Sequence, residues 1–145
     1  VVLVARRADR LEGLAAELDD ALVAPADLAD PEQRASTVTA ALERFGRVDV
    51  LVNNAGISDG PQRAESEDPA DFALAVEVNL TAAFHLSRLV APGMIERRGG
   101  SIVNVSASST KGAVPHRQAY HASKGGINAM TRQMGVDYGK DDNPG

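Results

Sequence analysis

The sequence predicts an α/β fold with a doubly wound parallel sheet that is incomplete at both ends. Short apolar runs alternate with segments in which apolar residues recur every three or four positions. Strands that alternate with helices in this way pair in parallel, with right-handed crossovers and helices on both faces. A chain of 145 residues, 43% of them hydrophobic, suffices for one such domain and is too short for two. We therefore assign residues 1–145 to a single incomplete domain.

The boundaries of the elements follow from the same patterns. The predicted strands are 1–5, 22–24, 48–52 and 101–105. The predicted helices are 8–20, 31–45, 71–98 and 119–138. The second helix has the clearest limits, because Asp30 caps it, Gln33 completes a capping-box spacing and Gly46 ends it. In the third helix, Pro92 is expected to bend or interrupt the last turns. The first strand opens the chain, so we expect further sequence to precede it.

The composition argues against several functional classes. A formal net charge of −5 disfavours a nucleic-acid groove or an anionic membrane surface, both of which need clustered Lys and Arg. There is no cysteine, and the three histidines show no ligand spacing, so we expect no disulfide and no metal site. No apolar run approaches the roughly 18 residues that a membrane span needs, and no signal-peptide pattern opens the chain. These features indicate a cytoplasmic enzyme domain.

Polar residues close every predicted strand, at 5–7, 27, 53–56 and 106–109. In open parallel sheets, ligands bind beyond the carboxyl ends of the strands. Near the same edge, Tyr120 and Lys124 stand four apart on a predicted helix, so their side chains share one face at about 6 Å. A free tyrosine, with a pKa near 10, is a poor acid/base at neutral pH. A neighbouring ammonium stabilises the phenolate and makes such a hydroxyl usable for proton exchange.

Four motifs resemble those of the short-chain dehydrogenase/reductase family. They are Asn53-Asn54-Ala55-Gly56 after a strand, Val78-Asn79-Leu80 within a helix, the strand segment 100–106, and Tyr120-His121-Ala122-Ser123-Lys124. The resemblance covers essentially the whole chain. It implies a Rossmann-like sheet and an enzyme that interconverts a secondary alcohol and a ketone by hydride transfer with a nicotinamide cofactor.

The resemblance also assigns catalytic roles. Tyr120 is implied to be the general acid/base, while Lys124 lowers the pKa of that tyrosine and holds the nicotinamide ribose. Asn79 is implied to kink its helix and anchor a water in a proton relay, and this role is compatible with a buried helical Asn that bonds backbone. The family's serine falls 13 positions before the tyrosine, at Ala107. Either a flanking serine replaces it, with Ser108 preferred to Ser106, or the hydroxyl is missing.

Cofactor contacts are implied at the strand exits, by Asn53, Ala55 and Gly56 against the adenosine ribose and by Asp27 at the adenine, in addition to Tyr120 and Lys124. Where the family places an acid that favours NAD(H), this chain has Arg6 and Arg7. Guanidinium groups pair well with a 2'-phosphate, so NADP(H) is expected. NAD(H) stays possible if these arginines only face solvent.

Ala107 at the serine position and two further departures from the family pattern favour an alternative. The family's glycine-rich phosphate loop is absent, and the chain stops before its last strands and substrate lid. The 145 residues alone are therefore expected to be marginally stable and inactive. The alternative function is a non-catalytic dinucleotide-binding or scaffold protein of the same fold.

The expected partners are a small carbonyl or alcohol substrate and further copies of the chain. Loops 57–69 and 108–118 are expected to line the substrate pocket, where His116 and Arg117 either face solvent or meet an anionic group. A homodimer or homotetramer is expected through the two long helices, 71–98 and 119–138. Their apolar residues serve either the core or this interface: Leu86, Leu89, Ile127, Met130 and Met134.

Overall fold

A computed structural model of the chain describes residues 1–58 and 60–139. The strands in this part of the chain are β1 (Val2–Ala5), β2 (Leu22–Pro25), β3 (Val50–Asn53) and β4 (Ser101–Asn104). The α-helices are α1 (Ala8–Ala15), α2 (Pro31–Phe45), α3 (Pro69–Val76), α4 (Ala82–Glu96) and α5 (Gln118–Tyr138). A π-helical segment, Glu77–Thr81, joins α3 to α4, and a 3-10 turn, Ser108–Lys111, follows β4. The α/β order predicted from the sequence is confirmed.

All strand pairing is parallel, as predicted, and it forms two pairs. β1 lies beside β2 with Val2 opposite Leu22, and β3 lies beside β4 with Val50 opposite Ser101. Within residues 1–58 and 60–139, no strand ladder joins the two pairs. The two strands of each pair are connected by a helical crossover, which is α1 between β1 and β2 and α3–α4 between β3 and β4. In contrast, α2 connects β2 to β3 without pairing them.

The main apolar cluster lies under one face of the second pair. Val38 of α2 packs with Leu86, Val90 and Met94 of α4, and partly buried strand residues pack against this cluster. The side chains that alternate with them point away, and Val50 and Val52 are each 57% exposed. In the described part of the chain, helices therefore cover one face of β3, whereas the sequence predicted cover on both.

Local signals set the helix limits where they are strong. The Asp30 carboxylate accepts hydrogen bonds from the backbone N–H groups of Glu32 (2.8 Å) and Gln33 (3.3 Å), and α2 ends at Gly46 with φ +75°. Both predicted limits of α2 are confirmed. In contrast, α1 ends at Ala15 and not at Asp20 as predicted. After Ala15 the backbone changes to hydrogen bonds of the 3-10 type, in which the Leu18 N–H donates to the Ala15 carbonyl at 3.1 Å.

The third predicted helix, 71–98, has the expected length but is shifted by two residues toward the N-terminus, and its irregular part is elsewhere. It starts at Pro69, after an Asp68 cap, and α4 continues without a break through Pro92 to Glu96. The interruption predicted at Pro92 is therefore wrong, and the irregularity is the π-helical segment Glu77–Thr81. By length and composition alone this helix is apolar enough to cross a membrane, with mean hydropathy 1.2. The core helix of a globular domain passes the same test, and α4 carries much of the apolar cluster.

Candidate active site

The exits of paired strands lie side by side. Asn53 at the end of β3 is opposite Asn104 at the end of β4, and Ala5 is opposite Pro25 in the other pair. The turn after β3 therefore runs beside the loop after β4, as expected for the carboxyl edge of parallel strands. The functional side chains described below meet at this edge.

Asn79 links the turn after β3 to α5. Its side chain is 1% exposed, and its Nδ2 donates to the Ile57 carbonyl (2.8 Å) and to Ser123 Oγ (3.0 Å). Its Oδ1 accepts from the Ile57 backbone N–H at 2.7 Å. Asn79 lies in the middle of the π-helical segment, whose wider turn changes the direction of its side chain relative to a regular helix. Both polar atoms of the Asn79 side chain thus hold the loop through backbone hydrogen bonds, as one of the two compatible roles expected from the sequence. The role in a proton relay stays a prediction.

Lys124 lies beside the same turn. It is 4% exposed, and its Nζ donates to the Val105 carbonyl at 2.7 Å. Burial lowers the pKa of the ammonium from its ordinary value of 10.5, because desolvation penalises the charged form. A Cβ on Gly56 would lie 3.3 Å from both Lys124 Nζ and Asn79 Oδ1. Glycine at this position therefore permits the turn to approach α5 and the π-helical segment.

Tyr120 lies one helical turn before Lys124 on α5. Its half-buried ring meets the His121 ring edge-on, with 5.9 Å between centroids and an interplanar angle of 82°. Ser123, which is 0% exposed, donates to the Tyr120 carbonyl and accepts from Asn79. Sequence reasoning gave Ser123 no role. Its position three residues after Tyr120, on the buried side of an amphipathic helix, was the available signal.

The two serines that flank Ala107 differ in environment. Ser106 is half-buried, and its Oγ donates to a backbone carbonyl of α5 at 3.1 Å. Ser108 is exposed at the start of the 3-10 turn, and its hydroxyl has no hydrogen-bond partner within the described ranges. Thr110 donates to the Ala107 carbonyl (2.7 Å) and accepts from Asn128 of α5 (2.8 Å), which fixes this turn against the helix. Of the two hydroxyls, that of Ser108 is the one available to a ligand.

The expected adenosine contacts separate into surface and interior groups. Arg6 is exposed where β1 ends, and Asp27 is half-buried where β2 ends. One carboxylate oxygen of Asp27 accepts from the Ala29 N–H at 2.9 Å; in the part of the chain described here, the other has no partner. Asn53 points into the protein and its Nδ2 donates to Asn104 Oδ1 at 2.8 Å, whereas Ala55 is exposed. The side chain of Asn53 therefore ties β3 to β4, and the exposed part of the turn begins after it.

The two loops expected to line the substrate pocket contact each other. The Arg117 guanidinium donates to Ser58 Oγ, and the Gln62 N–H donates to the His116 carbonyl at 3.3 Å. His116 adopts a left-handed backbone with φ +62°, a conformation that costs energy for a residue with a Cβ. These contacts join the loop after β3 to the start of α5, beside Tyr120.

A separate cavity of about 310 Å³ lies between α4, α5 and β4. Its lining includes Met94, Ile102, Met134 and Tyr138, and the four expected catalytic residues do not contribute to it. Within residues 1–58 and 60–139, no group of three His, Cys, Asp or Glu side chains is placed to hold a metal ion.

Comparison with known proteins identifies the family of this chain. The family model described as short chain dehydrogenase matches residues 1–142. A putative ketoacyl reductase of the granaticin polyketide synthase from Streptomyces violaceoruber is 39% identical over 113 residues, covering 77% of this chain and 41% of the relative. The 3-oxoacyl-[acyl-carrier-protein] reductase FabG of Thermotoga maritima is 36% identical over 121 residues, covering 83% and 48%.

A solved structure of a short-chain oxidoreductase is similar to this chain over nearly its whole length. A metagenomic short-chain oxidoreductase, solved in complex with NADP, superposes with a TM-score of 0.91 at 33% identity, covering 97% of this chain and 66% of that one. The chain spans about half the length of the curated relatives that it matches. From its sequence match and its fold, the chain belongs to the short-chain dehydrogenase family.

Proposed function

We propose that the protein containing this chain is an NADP(H)-dependent oxidoreductase that interconverts a secondary alcohol and a ketone. One observation carries the proposal: a buried ammonium, that of Lys124, lies against Gly56 and Asn79 one helical turn from Tyr120. A buried, desolvated lysine beside a tyrosine is typical of a site for proton transfer and is costly for stability alone. Several curated relatives carry the names of ketone reductases or alcohol dehydrogenases.

In this proposal Tyr120 exchanges a proton with the substrate oxygen. The Lys124 ammonium stabilises the phenolate that forms when the hydroxyl gives up its proton. Lys124 is held by the Val105 carbonyl, and Asn79 holds the adjoining turn through Ile57. Ser108 donates a hydrogen bond to the substrate oxygen and so supports the developing charge.

The residues present fit a nicotinamide dinucleotide. The turn at Ala55 and Gly56 presents exposed backbone without a Cβ at its closest approach to Lys124. One carboxylate oxygen of Asp27 has no partner among residues 1–58 and 60–139. We infer that these groups hold the adenosine and that Lys124 holds the nicotinamide ribose. A bound cofactor of this type supplies hydride-transfer chemistry. The side chain of Asn53 supports this turn by holding β3 against β4, because it points into the protein and its Nδ2 donates to Asn104.

The preference for NADP(H) rests on Arg6. It is exposed at the exit of β1, followed by Arg7, with no carboxylate at that position. Guanidinium groups pair with a 2'-phosphate through charge-assisted hydrogen bonds. In titrations of the intact protein, we expect Arg6→Ala to weaken NADPH binding by about tenfold, the loss of one such contact, and to leave NADH binding unchanged. Equal weakening of both would contradict the assignment.

Self-association through α4 and α5 is also proposed, in a cytoplasmic setting. The structure places Leu86 and Ile127 in the core, leaves Leu89 38% exposed and puts Met134 in the wall of the cavity. Exposed apolar side chains on the two helices are available for an interface, among them Phe84, Ile95 and Val136. Light scattering of the intact protein is expected to give a dimer or tetramer; a strict monomer would contradict this expectation.

The activity is tested with Tyr120→Phe in the intact protein, with Tyr138→Phe as the matched control on the same helix. Removing the Tyr120 hydroxyl is expected to reduce NADPH-linked ketone reduction by at least about 100-fold, the usual contribution of a general acid. Tyr138→Phe is expected to retain full turnover. If Tyr120→Phe is as active as the parent, the role of Tyr120 is wrong.

A second candidate function is a non-catalytic dinucleotide-binding protein. The observation that favours it is Ala107, which stands where the family has its serine. In that case both tyrosine variants and the parent would bind NADPH and none would reduce a ketone.

A further inference from the structure

Arg34 and Glu77 form an ion pair that the proposed chemistry does not use. Arg34, on the first turn of α2, is 1% exposed, and its Nη2 donates to Glu77 Oε1 at 2.7 Å. The Glu77 side chain is 35% exposed. Glu77 is the first residue of the π-helical segment, so the pair joins α2 to that segment.

Stability alone does not account for this pair. Within the described residues, Nε and Nη1 of Arg34 are buried without a hydrogen-bond partner. A buried guanidinium with two unpaired donors is expensive, and apolar residues of similar volume usually stabilise a protein as well or better. What such a pair contributes instead is structural specificity, because its hydrogen bond can form in only one relative position of the two segments that it joins.

The position that the pair fixes is two residues from Asn79. Because Asn79 binds both backbone polar groups of Ile57, a shift of the π-helical segment is passed to the turn after β3. That turn includes Gly56, where an added Cβ would lie only 3.3 Å from Lys124 Nζ. A displacement of Glu77 is therefore expected to shift Asn79, then the turn at Gly56, and finally the ammonium of Lys124.

We propose that the Arg34–Glu77 ion pair is a positioning element, which holds the π-helical segment so that Asn79 fixes the turn against Lys124. The effect on turnover rests on the proposed oxidoreductase function. The effect on the turn itself does not, because the hydrogen bond from the Ile57 N–H to Asn79 is measurable without any substrate. Hydrogen exchange of this amide reports the geometry directly.

The test uses two variants of the intact protein and one control. Glu77→Gln keeps the size of the side chain and removes its charge. The double variant Arg34→Met/Glu77→Met removes both charges and leaves no buried guanidinium unpaired, so it is expected to fold even if the single variant does not. Arg44→Met is the matched control, because Arg44 lies on the same helix and its ion pair with Asp20 is exposed, 53% and 56%.

We expect the Ile57 amide to exchange at least about tenfold faster in both charge-removing variants, while the Val90 amide in the core of α4 keeps its protection. Turnover is expected to fall about tenfold with KM for the ketone little changed, as for a displaced catalytic group. Arg44→Met is expected to change neither quantity. A merely structural role would change both amides together or neither.

The proposal is overturned if the double variant keeps the parent's Ile57 exchange rate. If the exchange rate rises and turnover is present but unchanged, the catalytic part is overturned. If the parent has no turnover while Ile57 exchange responds as expected, the oxidoreductase proposal fails and the positioning role stands.

Discussion

Replacing Gly56 with alanine tests the contact on which the site depends. The new Cβ would lie 3.3 Å from Asn79 Oδ1, 3.3 Å from Lys124 Nζ and 3.6 Å from Lys124 Cε. Contacts of 3.3 Å force the neighbours to move by a few tenths of an ångström. Neither is free to move, because Asn79 Oδ1 is held by the Ile57 N–H and Lys124 Nζ by the Val105 carbonyl, both at 2.7 Å.

Because these neighbours are fixed, Gly56→Ala is expected to lower the free energy of unfolding by about 1–2 kcal/mol, the cost of one added methyl in a packed site. Turnover should fall by about tenfold, since small displacements of catalytic groups are costly. Urea unfolding and initial rates measure the two effects. Gly13→Ala is the control, because Gly13 lies on α1, which carries no expected site residue, and a Cβ there meets nothing within 4 Å. If Gly56→Ala matches the parent in both measurements, the described packing is wrong.

Three further substitutions extend the test. Gly126→Ala is expected to destabilise the protein by up to about 1 kcal/mol in urea unfolding, because its Cβ would lie 2.7 Å from Leu80 Cδ2 and the displacement of that side chain outweighs the gain in helix propensity; an increase in stability would contradict the close packing of α5 against Leu80. Since burial lowers the pKa of Lys124 below 10.5, the unfolded state binds more protons than the native state in the range between the two values. Stability of the parent relative to Lys124→Met should therefore rise as pH increases toward 10.5, and a constant difference would count against a desolvated ammonium. His116→Gly removes the strain of a left-handed residue and should raise the unfolding free energy by up to about 1 kcal/mol; a decrease would indicate that His116 makes contacts that outweigh the strain.

Features encoded by neighbouring residues were predictable from the sequence. Asp30 and Gly46 set the limits of α2 through their own side-chain and backbone chemistry, and the structure uses both as predicted. The alternation of strands and helices was equally predictable, because apolar residues recur with a different period in each. The helix that carries Tyr120 and Lys124 four residues apart was also predictable, and both lie on α5; their role in the site stays a proposal.

Features that depend on distant contacts were not predictable. The π-helical segment carries Asn79, yet nothing in residues 77–81 distinguishes it from regular helix. The burial of Arg34 could not be predicted, because an arginine in a first helical turn is normally exposed. Only the fold buries it against Glu77. Asn53 was expected at the cofactor, but its pairing with Asn104 depends on strand register. The separation of the strands into two pairs likewise depends on contacts between residues that are far apart in the sequence.

The central claim is that this site supports transfer of hydride between a nicotinamide cofactor and a carbonyl carbon, with Tyr120 supplying the proton. The most direct measurement incubates the intact protein with NADPH deuterated at the transferring position and with a panel of 3-ketoacyl and cyclic ketones. Mass spectrometry of the products then locates the label. The account predicts a secondary alcohol with deuterium on the former carbonyl carbon, formed at least about 100-fold more slowly by Tyr120→Phe. Bound NADPH without any labelled alcohol from the parent protein would contradict it.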